Sequence, residues 1–133
     1  MRATTAFLLL FITGCSATHG QPKSICDVPT SAGWSGTEVR WHGVVVGEPH
    51  HGFALIAEDC QRRGIALDGF GNSALGKAIN DSGFKTGLLR ASVSGKIVGR
   101  EVSYRLLISN VHRVAFEPMN EAAYYEYWKS KGF

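Results

Sequence analysis

The stretch Thr37-Glu-Val-Arg-Trp-His-Gly-Val-Val-Val-Gly47 is the first clear strand of the chain. Val39, Trp41 and Val45 fall on one face, Arg40 and His42 on the other. This is the period of two expected of a strand with one side buried. Gly43 interrupts it midway, as a bend or bulge would require.

Working outward from this strand, Gly47-Glu-Pro-His-His-Gly52 reads as a turn and Phe53–Ala57 as a second strand. The polar run Glu58–Gly64 separates it from a short third strand, Ile65–Leu67. One or two helical turns are expected around Ser73–Asn80. Leu89–Gly99 is a long strand with Leu89, Ala91, Val93 and Ile97 inward and Arg90, Ser92, Ser94 and Lys96 outward. Tyr104–Phe116 is the last, with Tyr104, Leu106 and Ile108 alternating against Arg105 and Ser109. After Pro118, Asn120 is placed to cap a helix running through Lys131. Glu121 lies early in that helix, Lys129 and Lys131 late, and Gly132 just beyond it. Its aromatic flank, Tyr124, Tyr125 and Trp128, either packs on the strands or forms an exposed partner surface. Sixteen glycines agree with a turn-rich, all-β domain.

Five strands with a helical insertion between the third and fourth resemble the OB-fold, a small Greek-key barrel. A long first strand broken by a central glycine suits one that curls through both halves of such a barrel. The resemblance covers roughly residues 36–116 and implies a small five-stranded OB-like barrel with a C-terminal helix. It also implies a binding site across strands 2 and 3, between the loops joining strands 1–2 and 4–5. Carried onto this chain, those loops hold His50 and His51, and Arg100. Arg62 and Arg63, between strands 2 and 3, are expected to border the same face. These residues predict a locally basic rim, strengthened by histidine protonation, that favours an anionic ligand.

At the amino terminus, Arg2 precedes a compact apolar run, Ala6–Ile12, that ends in small residues. This is the layout of a secretory signal peptide, and the run falls far short of the ~20 residues a spanning helix needs. Ile12-Thr13-Gly14-Cys15 resembles the lipobox of bacterial lipoproteins, with Ile where Leu is commoner. The resemblance implies a signal peptide over 1–14, diacylation of the Cys15 thiol, cleavage before Cys15 and acylation of the new amino terminus. Two or three acyl chains anchor stably where one is marginal. Ser16, in place of the aspartate associated with inner-membrane retention, implies the outer membrane, facing the periplasm, in a Gram-negative envelope. An ordinary signal-peptidase cut after Ala17 is the alternative. Residues 15–25 then form the lipidated cysteine and a short tether, whose ten residues after Cys15 span at most ~33–36 Å. Residues 26–133 form one domain.

Removing residues 1–14 leaves 13 basic against 11 acidic residues, a formal charge of +2. That is too weak for a dedicated nucleic-acid binder. With Cys15 assigned to lipid, Cys26 and Cys60 remain as an even pair in an oxidising compartment, where a disulfide is expected.

Motifs for chemistry are sparse. Gly71–Ala78 nearly matches a phosphate-binding loop, but Ala78 replaces the hydroxyl residue that would hold magnesium. A turn leading into a helix explains it better. His50 and His51 lack partners at metal-site spacing. No nucleophile elbow, paired-carboxylate motif or Cys–His arrangement stands out. The chain is therefore expected to be a binding module rather than an enzyme, with no catalytic residue, metal or cofactor. Its expected partners are the membrane, through the lipid anchor, and an envelope protein, peptide or glycan. An inhibitor or immunity-type lipoprotein using the aromatic helix is the alternative, and a metal-assisted hydrolase using the loop histidines a more remote one.

Overall fold

The computed structural model describes residues 24–27, 33–83, 85–100 and 103–133. The anticipated signal peptide, Cys15 and nearly all of the tether lie outside these. A single 3-10 turn, Ile25–Asp27, precedes β1 (Glu38–Glu48), β2 (Gly52–Ile56), β3 (Gly64–Asp68), α1 (Ala74–Ser82), β4 (Gly87–Val98), β5 (Arg105–Pro118) and α2 (Glu121–Ser130). The five expected strands, the inserted helix and the C-terminal helix are all present, with boundaries displaced by a residue or two.

The strands close into a ring in the order β1-β2-β3-β5-β4, with β4 returning to β1. Every pairing is antiparallel except β3 with β5, which is parallel and has only three register pairs. Following the register from Gly47 through Phe53, Leu67, Leu106 and Ile97 returns to β1 at Thr37, ten residues earlier. So large a stagger tilts the strands and widens a ring that few strands could not otherwise close around side chains. The short β3–β5 seam and two register shifts in the β4–β5 ladder, at Ser92/Val93 and Ser94/Gly95, keep the ring from being a regular barrel.

The expectation that Gly43 marks a bend or bulge takes a different form. Register runs through Gly43↔Ala91 without a shift, and the bulges lie between β4 and β5. A Cβ at Gly43 would sit 2.3 Å from the carbonyl oxygen of Ile56. The glycine is there because β2 closes on β1 at this point, a close backbone approach that excludes any side chain.

The inward residues of the alternating strands form the core, among them Val39, Trp41, Leu55, Val93, Ile97 and Leu106. Leu75 from α1 joins them at 0% exposure. Ser73 caps α1 by accepting from the Gly76 amide at 3.3 Å. Asn120 caps α2 by accepting from the Ala123 amide at 2.8 Å. Cys26 and Cys60 are joined as a disulfide, with Cα atoms 6.0 Å apart.

A second buried group sits on the opposite phase of the strands. Val44, Ile56 and Leu88 are buried yet do not belong to the inner core. Tyr127 of α2 donates to Glu58 Oε1, which also accepts from Arg90, the register partner of Val44. The C-terminal helix is thereby fastened to the same side of the sheet. Its Trp128 is half-buried, while Tyr125 stays 69% exposed. No helix among the described residues is long and apolar enough to cross a membrane.

Candidate functional site

The basic residues anticipated on the loops are divided between the two ends of the β2–β3 hairpin. His50 and His51 lie exposed in the β1–β2 turn, where the His51 amide donates to the Glu48 carbonyl at 3.1 Å. Arg62 and Arg63 lie at the other end, beyond the five residues of β2, roughly 17 Å away at strand rise. Because β5 runs parallel to β3 and starts beside Ala66, the loop carrying Arg100 falls at the Arg63 end as well. The histidine pair and the three arginines thus bracket the hairpin from opposite ends and do not converge on one point.

Arg62 has a structural task. Its backbone adopts φ 53°, its amide donates to the Lys131 carbonyl at 3.1 Å, and its Nε donates to the Gly132 carbonyl. Arg63 and Arg100 are exposed. The glycine-rich segment Gly71–Ala78 forms the turn and first helical residues of α1, with Ser73 occupying the helix cap and Lys77 paired to Asp81. Among the described residues no three His, Cys, Asp or Glu side chains gather into a metal site.

The outward side of β1, β4 and β5 carries a different assembly. Register aligns His42 with Ser92 and Arg113 in one cross-strand row, and Arg40 with Ser94 and Asn110 in the next. The shift between Ser92 and Val93 bulges β5 at His112, whose Nε2 lies 2.6 Å from Ser94 Oγ. Arg40, His42, Ser92, His112 and Arg113 border an open groove of about 600 Å³, where Gly43 and Ala115 add little bulk. At one end Arg90 donates from Nε to Glu58 at 3.0 Å and from Nη1 to Glu117. The hydrogen bond it donates to Glu58 holds the Arg90 guanidinium above its ordinary pKa, against the opposing effect of burial. Tyr127 closes the same corner, its phenol pushed up to about 12 chiefly by burial, then by the Glu58 charge.

Charge in the groove is therefore uneven. Arg90 is paired with two carboxylates, one more than its own charge offsets. Arg40 and Arg113 have no acid partner among the described residues, and His42 adds an imidazole between them. The outward phase of β1 and β4 was legible as polar. What pattern could not supply was the position of Arg113 and His112, because that depends on the β4–β5 register shift.

Comparison with known proteins gives no match to a family model, a curated protein or a solved structure.

Proposed function

We propose that this chain is a lipid-tethered envelope module, OB-like in build, that binds an anionic ligand on the outer face of its ring. The observation that carries the reading is the groove across β1, β4 and β5, where Arg40 and Arg113 are exposed and have no acid partner among the described residues. Guanidinium groups are planar forks suited to carboxylate and phosphate, and an unneutralised pair on a rigid sheet is preorganised to hold an anion. The OB-like reading is supported by the strand order, the parallel β3–β5 closure and the helix between β3 and β4. The lipid tether rests on the lipobox at Cys15.

Backbone amide shifts of the purified protein titrated with a mixture of small phosphate, sulfate and carboxylate anions test this. Perturbations are expected along β1, β4 and β5 at the groove, and are expected to vanish in Arg40→Gln/Arg113→Gln. Perturbations confined to His50, His51 and Arg100 would move the site to the loops.

A second reading has its own observation. Tyr125 on α2 and Phe133 just after it are 69% and 61% exposed, apolar surface that suits an inhibitor or immunity-type contact. Tyr125→Ala would abolish capture of such a partner and leave anion binding unchanged.

A further inference from the structure

We infer that the groove selects a phosphomonoester, a phosphate joined through one oxygen to a larger molecule, over singly charged anions. The inference rests on the anion-binding reading above and names the ligand class for that site.

Charge matching comes first. The described groove has two guanidinium groups, Arg40 and Arg113, that no carboxylate neutralises, whereas Arg90 is taken up by Glu58 and Glu117. A phosphomonoester carries about −1.5 to −2 at neutral pH and offers three strong acceptor oxygens. Monocarboxylates, sulfate esters and phosphodiesters carry a single charge and would leave one guanidinium unmatched.

Geometry agrees. Arg40 and Arg113 stand on the strands either side of β4, one cross-strand row apart. At ordinary strand spacing and rise their Cα atoms are about 12 Å apart, a span two arginine side chains close over the intervening strand. Between them on β4 lie Ser92, aligned with His42 on β1, and Ser94, bonded to His112 on β5. With Ser94 and His112 engaged with each other, the two guanidinium forks and the Ser92 hydroxyl still offer more donors than a two-oxygen carboxylate uses, which suits a tetrahedral oxyanion.

The lining also says what is not recognised. Among the described residues no phenyl or indole ring lines the groove, and the one phenol at its corner, Tyr127, is engaged with Glu58, which leaves no ring for a base or sugar to stack on. Its open side leaves the bearer of the phosphate in solvent, so the head group is read and the rest is tolerated.

Calorimetric titration of the purified protein tests this with glycerol 3-phosphate, inorganic phosphate, glycerophosphoglycerol, methyl sulfate and acetate. Glycerol 3-phosphate is expected to bind at least ~10-fold more tightly than the diester, methyl sulfate or acetate, since losing one charged hydrogen-bond partner costs on the order of 1.5 kcal/mol. Arg40→Gln and Arg113→Gln should each weaken it roughly 10-fold, and Arg113→Lys less, because the charge remains and the fork is lost. Melting temperatures should stay close to wild type, which separates ligand loss from misfolding. Equal binding of all the anions overturns the phosphomonoester assignment and leaves anion binding standing. Binding of inorganic phosphate with exclusion of glycerol 3-phosphate also overturns it. Binding of none overturns both readings.

Discussion

The Tyr127 hydroxyl donates to Oε1 of Glu58 at 3.2 Å and thereby joins the C-terminal helix to the loop that follows β2. Glu58 accepts from Arg90 on β4 as well, and its backbone carbonyl receives Lys131 Nζ. Gln61 and Arg62, further along the loop, bond the carbonyls of Ser130, Lys131 and Gly132. Cys60, in the same loop, is held by Cys26. One short loop thus couples the disulfide, the helix and the Arg90 end of the groove.

Glu58→Ala should therefore loosen α2 rather than disturb a single surface charge. The expected loss is about 1–3 kcal/mol, since it leaves a part-buried Arg90 and Tyr127 without a shared acceptor. Differential scanning calorimetry would register it. Faster tryptic cleavage after Lys129 and Lys131 would distinguish helix release from general destabilisation. Unchanged cleavage would show that α2 is held by apolar cover alone.

Tyr127 also predicts an alkaline signature. Burial, then the Glu58 charge, raises its phenol from 10.0 to about 12. The folded state thus favours the neutral phenol. That contribution is complete below pH 10 and is lost as pH rises from there toward about 12. In a spectrophotometric titration of the four tyrosines, one should ionise late, and Tyr127→Phe should remove that late step. Four tyrosines titrating together near their ordinary value would contradict the buried corner.

Cys60→Ser should lower stability by about 3–4 kcal/mol on the chain-entropy model of a closed loop. The loop spans 34 residues. Because the same segment fastens α2, the variant should also gain sensitivity to protease at the carboxyl end. Non-reducing peptide mapping should recover Cys26 linked to Cys60, and two freely alkylated thiols would contradict the linkage.

Gly43→Ala should be far more damaging than a methyl group in a strand normally is. Its Cβ would meet Ile56 O at 2.3 Å, a backbone atom that cannot move without parting β1 from β2. A loss of ~2–3 kcal/mol is expected, a fall in Tm of roughly 10 °C or more. Gly71→Ala is the control, since nothing lies within 4 Å of its added Cβ. Similar melting temperatures for both variants would refute the close-approach account.

The anchor is tested by mass spectrometry of the mature amino terminus. An acylated Cys15 is expected, with lipid labelling abolished in Cys15→Ser. A plain peptide beginning at Thr18 would instead identify cleavage after Ala17.

Alternation in β1, β4 and β5 was enough to assign inward residues such as Trp41, Val93 and Leu106, because a strand's period of two is a local property of the backbone. Helix ends were equally local. Asn120 and Gly132 mark α2 because caps answer to the unpaired amides and carbonyls of one turn. The Cys26–Cys60 pair followed from cysteine number and the inferred compartment. Contacts between distant segments were different. Neither the approach of Ile56 to Gly43 nor the bond from Tyr127 to Glu58 has a signal in either segment alone. The groove shows this most clearly. Arg40 and His42 were legible as outward residues of β1, but their alignment with Arg113 depends on β4–β5 register and its shift at Ser92/Val93. Patterning fixes which face of a strand is buried. Which outward residues become neighbours is decided only when the strands pair, because each strand can slide by two residues without changing its buried face.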